Sequence, residues 1–344
     1  MGDFASVMTS QQIKDLNKDD FETCADSLGD VTSWSQDQKS ALAGKAKTSW
    51  QQPSQWGDRL MTAGTIAQGL TPSELSSTDM KLDYLSALGQ KEGWTEPQEE
   101  AAFNKWLTSE NSGEASSITG DQLSQLGHFV CGAKPEIIRS IPASAYKEAM
   151  SEIGDVSCSM AKRKEWANLA VKSLGPVTSW SSDQSAAVGS VMAGLSSSQM
   201  SKLSLNQLSQ MELDTFKMIP PAEFNSLTVE QLKGLSSAHA QTVTEEQAKL
   251  LSPEKRKALI ALGSTITAPA VSNDAAGSGA PGGSKYDHSH SGVLHSGCNT
   301  GDHRHLRWWF CQTSLNSACV CKSGTYFKQS SDQHDNVILK ERGS

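Results

Sequence analysis

The residues best suited to chemistry crowd the last sixty positions. Cys298, His303, His305, Cys311, Cys319 and Cys321 supply thiol and imidazole groups, the ligands that borderline-soft zinc favours. They fall as C-x4-H-x-H and C-x7-C-x-C, without the C-x2-C knuckles that place two ligands on one turn. That spacing matches no zinc-finger pattern, and we expect no metal site there. Only His128 and His239 precede this region. His128 stands in LSQLGHFVCG beside apolar residues, the setting of a packing residue rather than a ligand. The acidic pairs Glu99-Glu100 and Glu245-Glu246 fall at helix starts, where carboxylates oppose the positive end of the helix macrodipole. The sequence has no G-x-S-x-G, P-loop, H-E-x-x-H or dinucleotide fingerprint, so it points away from catalysis and from any cofactor.

The elements that carry these residues are short helices. Ser or Thr followed three residues later by Gln or Glu marks a capping box, in which hydroxyl and amide or carboxylate each satisfy a free backbone N–H. Such pairs occur at Thr9/Gln12, Ser35/Gln38, Thr71/Glu74, Thr95/Gln98, Thr119/Gln122, Ser181/Gln184, Ser196/Gln199, Ser204/Gln207, Thr228/Gln231 and Thr244/Gln247. Segments such as LSLNQLSQM and LTVEQLKGL then put apolar residues on one face of barely two turns. Helices of that length are marginal alone and need stacked neighbours. Ile141-Pro142 before Tyr146, and Ile219-Pro220 before Phe224, repeat a turn in which proline stops one helix and the aromatic anchors the next. Period-two alternation of the kind strands show is missing from about the first 265 residues.

A longer repeat overlies these boxes. LGDVTSWSQDQKSALAGK from Leu28 and LGPVTSWSSDQSAAVGSV from Leu174 align without a gap, and Leu88-Gly89 through Trp94 keeps the same spacing. The shared rule is L-G-x4-W-S/T-x2-Q-x2-A. We expect Gly29, Gly89 and Gly175 to end helices in the left-handed conformation that glycine adopts without steric cost. Trp34, Trp94 and Trp180, each one residue before an N-cap, are expected to staple onto the following helix.

Bulk properties fit a thin, elongated array. Hydrophobic residues make up 37% and aromatics 6%, too few for a deep globular core, and mean hydropathy is -0.43. The net charge of -8 argues against a nucleic-acid partner, because phosphate binding needs clustered Lys and Arg. No stretch approaches the roughly 20 apolar residues of a spanning helix, and the N-terminus lacks a basic-then-apolar leader. Met1-Gly2-Asp3-Phe4-Ala5-Ser6 fits only the loose M-G-x-x-x-S acylation pattern. We therefore expect an all-α, armadillo-like superhelical solenoid of short capped helices over residues 1–265.

The LGPVTSWSSDQ block, the MAGLSSSQM step, LSQLGHFVCGAKPEIIRSIPASAY and the repeated S/T-x-x-Q-L-x-x-L together resemble the mesothelin, stereocilin and otoancorin family, over most of residues 8–265. The resemblance implies a superhelical stack of short helices displayed outside cells, secreted or lipid-anchored. It implies a non-enzymatic role in adhesion to a protein or glycoprotein ligand, mucin-like or matrix, and carries over no particular binding residue. Membrane association would come only through an anchor missing from this sequence, and the leader is expected in a missing upstream segment. From the residues alone, a cytosolic scaffold binding peptides along a concave face stands as the alternative.

The cysteines discriminate the two. In an oxidising compartment a bridge between Cys131 and Cys158 would cross-link adjacent helices; otherwise both are buried thiols behaving as small hydrophobes. Residues 266–284, rich in Ala, Gly, Ser and Pro, read as a flexible linker. Residues 285–344 read as a disordered tail with six of the eight histidines, four of the seven cysteines and a net charge of +2, which leaves -10 for the rest.

Overall fold

The computed structural model describes residues 7–267, all within one compact unit, Met1–Ala280. The expected tail and its cysteine and histidine groups, the linker from residue 268 and the Met1-Gly2 pattern lie outside the described residues. Every regular element within them is an α- or 3-10 helix, and none of the described residues forms a strand.

All ten capping boxes form, each with the N-cap hydroxyl facing the N3 amide and the N3 side chain returning to the N-cap N–H. Pro142 and Pro220 both stand at N-caps, and the aromatics they introduce, Tyr146 and Phe224, are fully buried. The first two-thirds is organised around three helices of 15 residues, Gln36–Trp50, Glu96–Glu110 and Met160–Leu174. Each packs against a six-residue 3-10 segment bracketed by glycines: Gly64–Gly69, Gly127–Gly132 and Gly189–Gly194.

Those glycines explain why two of the repeat-defining ones do not behave as expected. Neither Gly29 nor Gly89 has a positive φ; both continue right-handed helix. What they provide is space. A Cβ on Gly29 would stand 2.6 Å from the Ala63 carbonyl oxygen, one on Gly89 2.3 Å from that of Leu126, and their partners Gly64 and Gly127 would collide with them in return. In the third copy the crossing pair is Gly154 and Gly189. The sequence register therefore slips there: Gly175 ends the long helix Met160–Leu174 instead of preceding one, and it alone of the three expected residues takes the positive φ, at 85°. The two earlier long helices end on Asn111, at φ -112°, and Gln51, at φ 71° and ψ -160°, a region close to glycine-only.

From residue 196 onward the helices shrink to between four and nine residues and their N-caps fall eight apart, at Ser196, Ser204, Glu212, Pro220, Thr228, Ser236, Thr244 and Ser252. An extended N-cap residue turns the chain before each helix. The fourth residue after each of the first seven caps is buried (Met200, Leu208, Phe216, Phe224, Leu232, Ala240, Ala248), and so is the seventh after all eight, from Leu203 to Leu259. Helices three places apart pack together: Leu213–Lys217 with Ser237–Thr242, Pro221–Asn225 with Glu245–Ala248, and Val229–Lys233 with Pro253–Ala261. No single helix of this length would hold by itself, so stability comes from these non-adjacent contacts.

Two substitutions test this account by urea denaturation. Gln51→Gly relieves the unfavourable φ and is expected to raise stability by about 1 kcal/mol. Gly64→Ala drives a methyl to 2.2 Å from the Gly29 carbonyl oxygen at a residue with φ 49°, and is expected to lower it by about 3 kcal/mol or more.

Candidate functional site

The feature that the described residues repeat most often is the residue three past the N-cap. Its oxygen caps its own helix; in five of the ten boxes its nitrogen does something the capping box does not require. Gln98 Nε2 donates to the carbonyls of Gln68 (2.8 Å) and Leu70 (2.7 Å). Gln207 donates to Val177 (2.7 Å) and Trp180 (3.3 Å), Gln231 to Leu203 (2.7 Å) and Met200 (3.3 Å), and Gln247 to Ile219 (2.9 Å), Phe216 (3.0 Å) and Lys217 (3.3 Å). Gln38 reaches Met8 (2.6 Å). Every acceptor lies 27 to 31 residues upstream, most of them in the last turn of a helix or just past it, and Val177, Met200 and Phe216 accept a backbone N–H there as well. The same rung is made with other chemistry at two places. His239 Nε2 stands 2.9 Å from the Met211 carbonyl while Nδ1 stands 2.8 Å from Ser236 Oγ. A carbonyl only accepts, so Nε2 carries the proton and Nδ1 accepts from the hydroxyl. Lys255 donates its ammonium to the Asn225 carbonyl.

The repeat-defining tryptophans close the turns on the other side. Trp34, Trp94 and Trp180 are buried, and each indole N–H donates backwards, to Leu28 (2.9 Å), Leu88 (3.2 Å) and Gly175 (2.9 Å). The hydrogen bond ties each turn to the helix it leaves. Trp94 also packs on Phe129, with ring centroids 4.9 Å apart.

Cys131 and Cys158 form a disulfide that joins the Gly127–Gly132 segment to the turn before Met160–Leu174. Both cysteines are buried, and Arg163 braces the turn by donating to Ser157 Oγ (2.9 Å) and to the Cys158 carbonyl (2.6 Å). One copy earlier the corresponding joint is a hydrogen bond, Gln68 Nε2 to the Glu92 carbonyl at 2.7 Å. His128 holds the place at which Thr65 and Ser190 donate to the carbonyls of Val31 (2.8 Å) and Val156 (2.5 Å). Burial holds its pKa below the ordinary histidine value, against the pull of Glu92. Glu99 stands in the first turn of Glu96–Glu110 as expected, and burial pushes its carboxyl up to about 7.

An open groove of about 790 Å³ lies between Ser10–Asp15 and Gln36–Trp50, lined by Ser10, Lys14, Asp37, Ser40, Gly44 and Thr48 among others. A smaller one of about 260 Å³ carries Glu22, Asp26 and Arg59, the last with its guanidinium 5.9 Å from the Trp50 ring. In the first, the hydroxyls of Ser40 and Thr48 donate to the backbone carbonyls of Gln36 and Lys45. Among the described residues no cluster of His, Cys, Asp and Glu has a metal-binding arrangement, and no helix is long and apolar enough to cross a membrane.

Set beside known proteins, the chain is 28% identical to human stereocilin over 266 residues and 27% identical to mouse otoancorin over 247, which is 75% and 71% of its own length. It is stereocilin/otoancorin-like. A putative human stereocilin-like protein matches equally, at 28% over 266 residues. The chain spans only 15% of the stereocilins and 22% of the otoancorins. No family model matches it. A stereocilin/otoancorin-like stretch is thus held by side-chain rungs whose spacing exceeds any local motif.

If the rung is what selects the third residue, the amide matters beyond its cap. His239→Gln is expected to leave the urea midpoint unchanged, while His239→Ala loses about 1–3 kcal/mol. Gln247→Glu, which keeps the cap but turns a carboxylate on three carbonyl oxygens, is expected to lose at least as much.

Proposed function

We propose that this chain is a stretch of an extracellular attachment protein: an armadillo-like, right-angled superhelical solenoid, without catalytic activity, that offers its surface to a protein or glycoprotein ligand of mucin or matrix type. The likeness to stereocilin and otoancorin over 71–75% of the chain carries this reading. The regular offset of its contacts supports the solenoid. From residue 196 onward helices meet helices three places on, and the rungs repeat at 27 to 31 residues, which suits a continuous winding of roughly one turn per 28 residues. The mesothelin likeness of the W-S/T-x2-Q blocks and the Ile-Pro turns belongs to the same reading.

The placement outside the cell draws on the Cys131–Cys158 disulfide, since glutathione and thioredoxin keep cytosolic thiols reduced. A tether suits the architecture: short helices cross-bonded to earlier turns resist being pulled apart one at a time, and a winding surface offers many shallow contacts.

Mass spectrometry of non-reduced protein from its native source should find Cys131 and Cys158 joined. Free thiols at both positions would contradict the extracellular reading. The purified full chain should in turn bind immobilised gel-forming mucin or a basement-membrane extract saturably, and albumin not at all. Equal retention on all three surfaces would contradict the adhesive one.

A further inference from the structure

The fourth residue of each long helix is ionisable: Lys39, Glu99 and Arg163. In each copy the carbonyl at that position is pressed beneath the last glycine of the facing 3-10 segment, where a Cβ would come within 2.0 to 2.3 Å, so the position is pinned. Only Glu99 is an acid. Helical spacing sets Glu96, Glu99 and Glu100 on one face. Against that face comes Lys162 from the next long helix, its side chain 3% exposed, with Nζ 2.8 Å from Glu96 Oε1 and 3.1 Å from Glu100 Oε1. Ser159 Oγ adds a hydrogen bond to Glu96 at 3.1 Å.

One ammonium therefore pairs with two carboxylates, Glu96 and Glu100, and the half-buried Glu99 on the same helix face feels the charges of all three without a pairing bond of its own. The other elements packed on Glu96–Glu110 bring no further positive charge to it. The ionisable group of Pro72–Ser77 is Glu74, which takes Lys47 at 2.7 Å. Gly127–Gly132 brings His128, kept toward its neutral form by burial, and Cys131, closed in its disulfide. Burial raises the Glu99 carboxyl to about 7; Lys162 pulls it down, Glu96 and Glu100 push it up.

We propose that Glu96, Glu99, Glu100 and Lys162 form a pH-sensitive latch between the second and third long helices, closed while one of the carboxyls holds a proton and loosened when all three are charged. This goes beyond the attachment reading and does not depend on it. The sign follows from linkage. Unfolded, Glu99 releases its proton near 4.5; folded, it holds it to about 7. Stability from this group is complete below about 4.5, falls as pH rises across that window, and is level above about 7.

Hydrogen exchange of the full chain at pH 5 and pH 7.5, corrected for the intrinsic pH dependence of exchange, tests the latch. The amides of Glu96–Glu110 and Met160–Leu174 should lose protection by at least about threefold at the higher pH, while Pro221–Ala248 stays constant as an internal reference. Glu99→Gln should abolish the difference. An unchanged difference in Glu99→Gln, or a loss spread evenly over the chain, would overturn the proposal. Should that variant not fold, carbon-13 titration of the Glu99 carboxyl in the unaltered chain decides: a midpoint near 7 supports the latch and one below 5 overturns it.

Discussion

A helix of five residues has more unsatisfied backbone groups than internal hydrogen bonds, and a chain built from such helices must satisfy those groups from outside. In this protein one side chain does so at both kinds of helix end. At Gln38, Gln98, Gln207, Gln231 and Gln247 the glutamine three past the N-cap accepts the N-cap N–H of its own helix and donates to carbonyls 27 to 31 residues earlier. Glutamine suits the place because it joins an acceptor to a donor on one planar group. Glutamate supplies only acceptors, and at Glu74 it turns instead to the ammonium of Lys47. Histidine in the right tautomer presents the same pair at nearly the same separation, which accounts for His239.

Once those rungs fix the offset between successive turns, the rest of the interior follows. The apolar residues four past the N-caps from Ser196 to Thr244, and seven past those from Ser196 to Ser252, are buried, and the long helices of the first two-thirds approach their 3-10 segments so closely that only glycine fits at the crossings. The Gln68–Glu92 hydrogen bond and the Cys131–Cys158 disulfide are two answers to one problem, how to fasten a 3-10 segment to the turn that follows it. The second is covalent and independent of hydration.

How far this was legible from residues alone depended on range. The capping boxes and the Ile-Pro turns are local, with all their partners within four residues, and they stand where the spacing puts them. The second bond of Gln38, Gln98, Gln207, Gln231 and Gln247 has its acceptor in a different turn, and no motif records which glutamines make it. Gly29 and Gly89 were misread for the same reason: a glycine after leucine at a helix end looks like a left-handed cap until the crossing backbone is in view. The third copy misled through its text. LGPVTSW repeats the words of LGDVTSW, yet the crossing belongs to Gly154, twenty-one residues earlier, in a segment without tryptophan. The eight-residue period after Ser196 was visible in principle, as an apolar residue four and seven past each cap, but Glu212 and Pro220 interrupt the run of hydroxyl caps that would have announced it.

The central claim, that side-chain amides hold successive turns together, is tested most directly by the exchange of those amide protons with solvent. In nuclear magnetic resonance spectra of the full chain, one side-chain proton on each of Gln98, Gln207, Gln231 and Gln247 should exchange at least about a hundredfold more slowly than those of the exposed Gln36 and Gln90. Exchange at the rate of Gln36 and Gln90 would contradict the account.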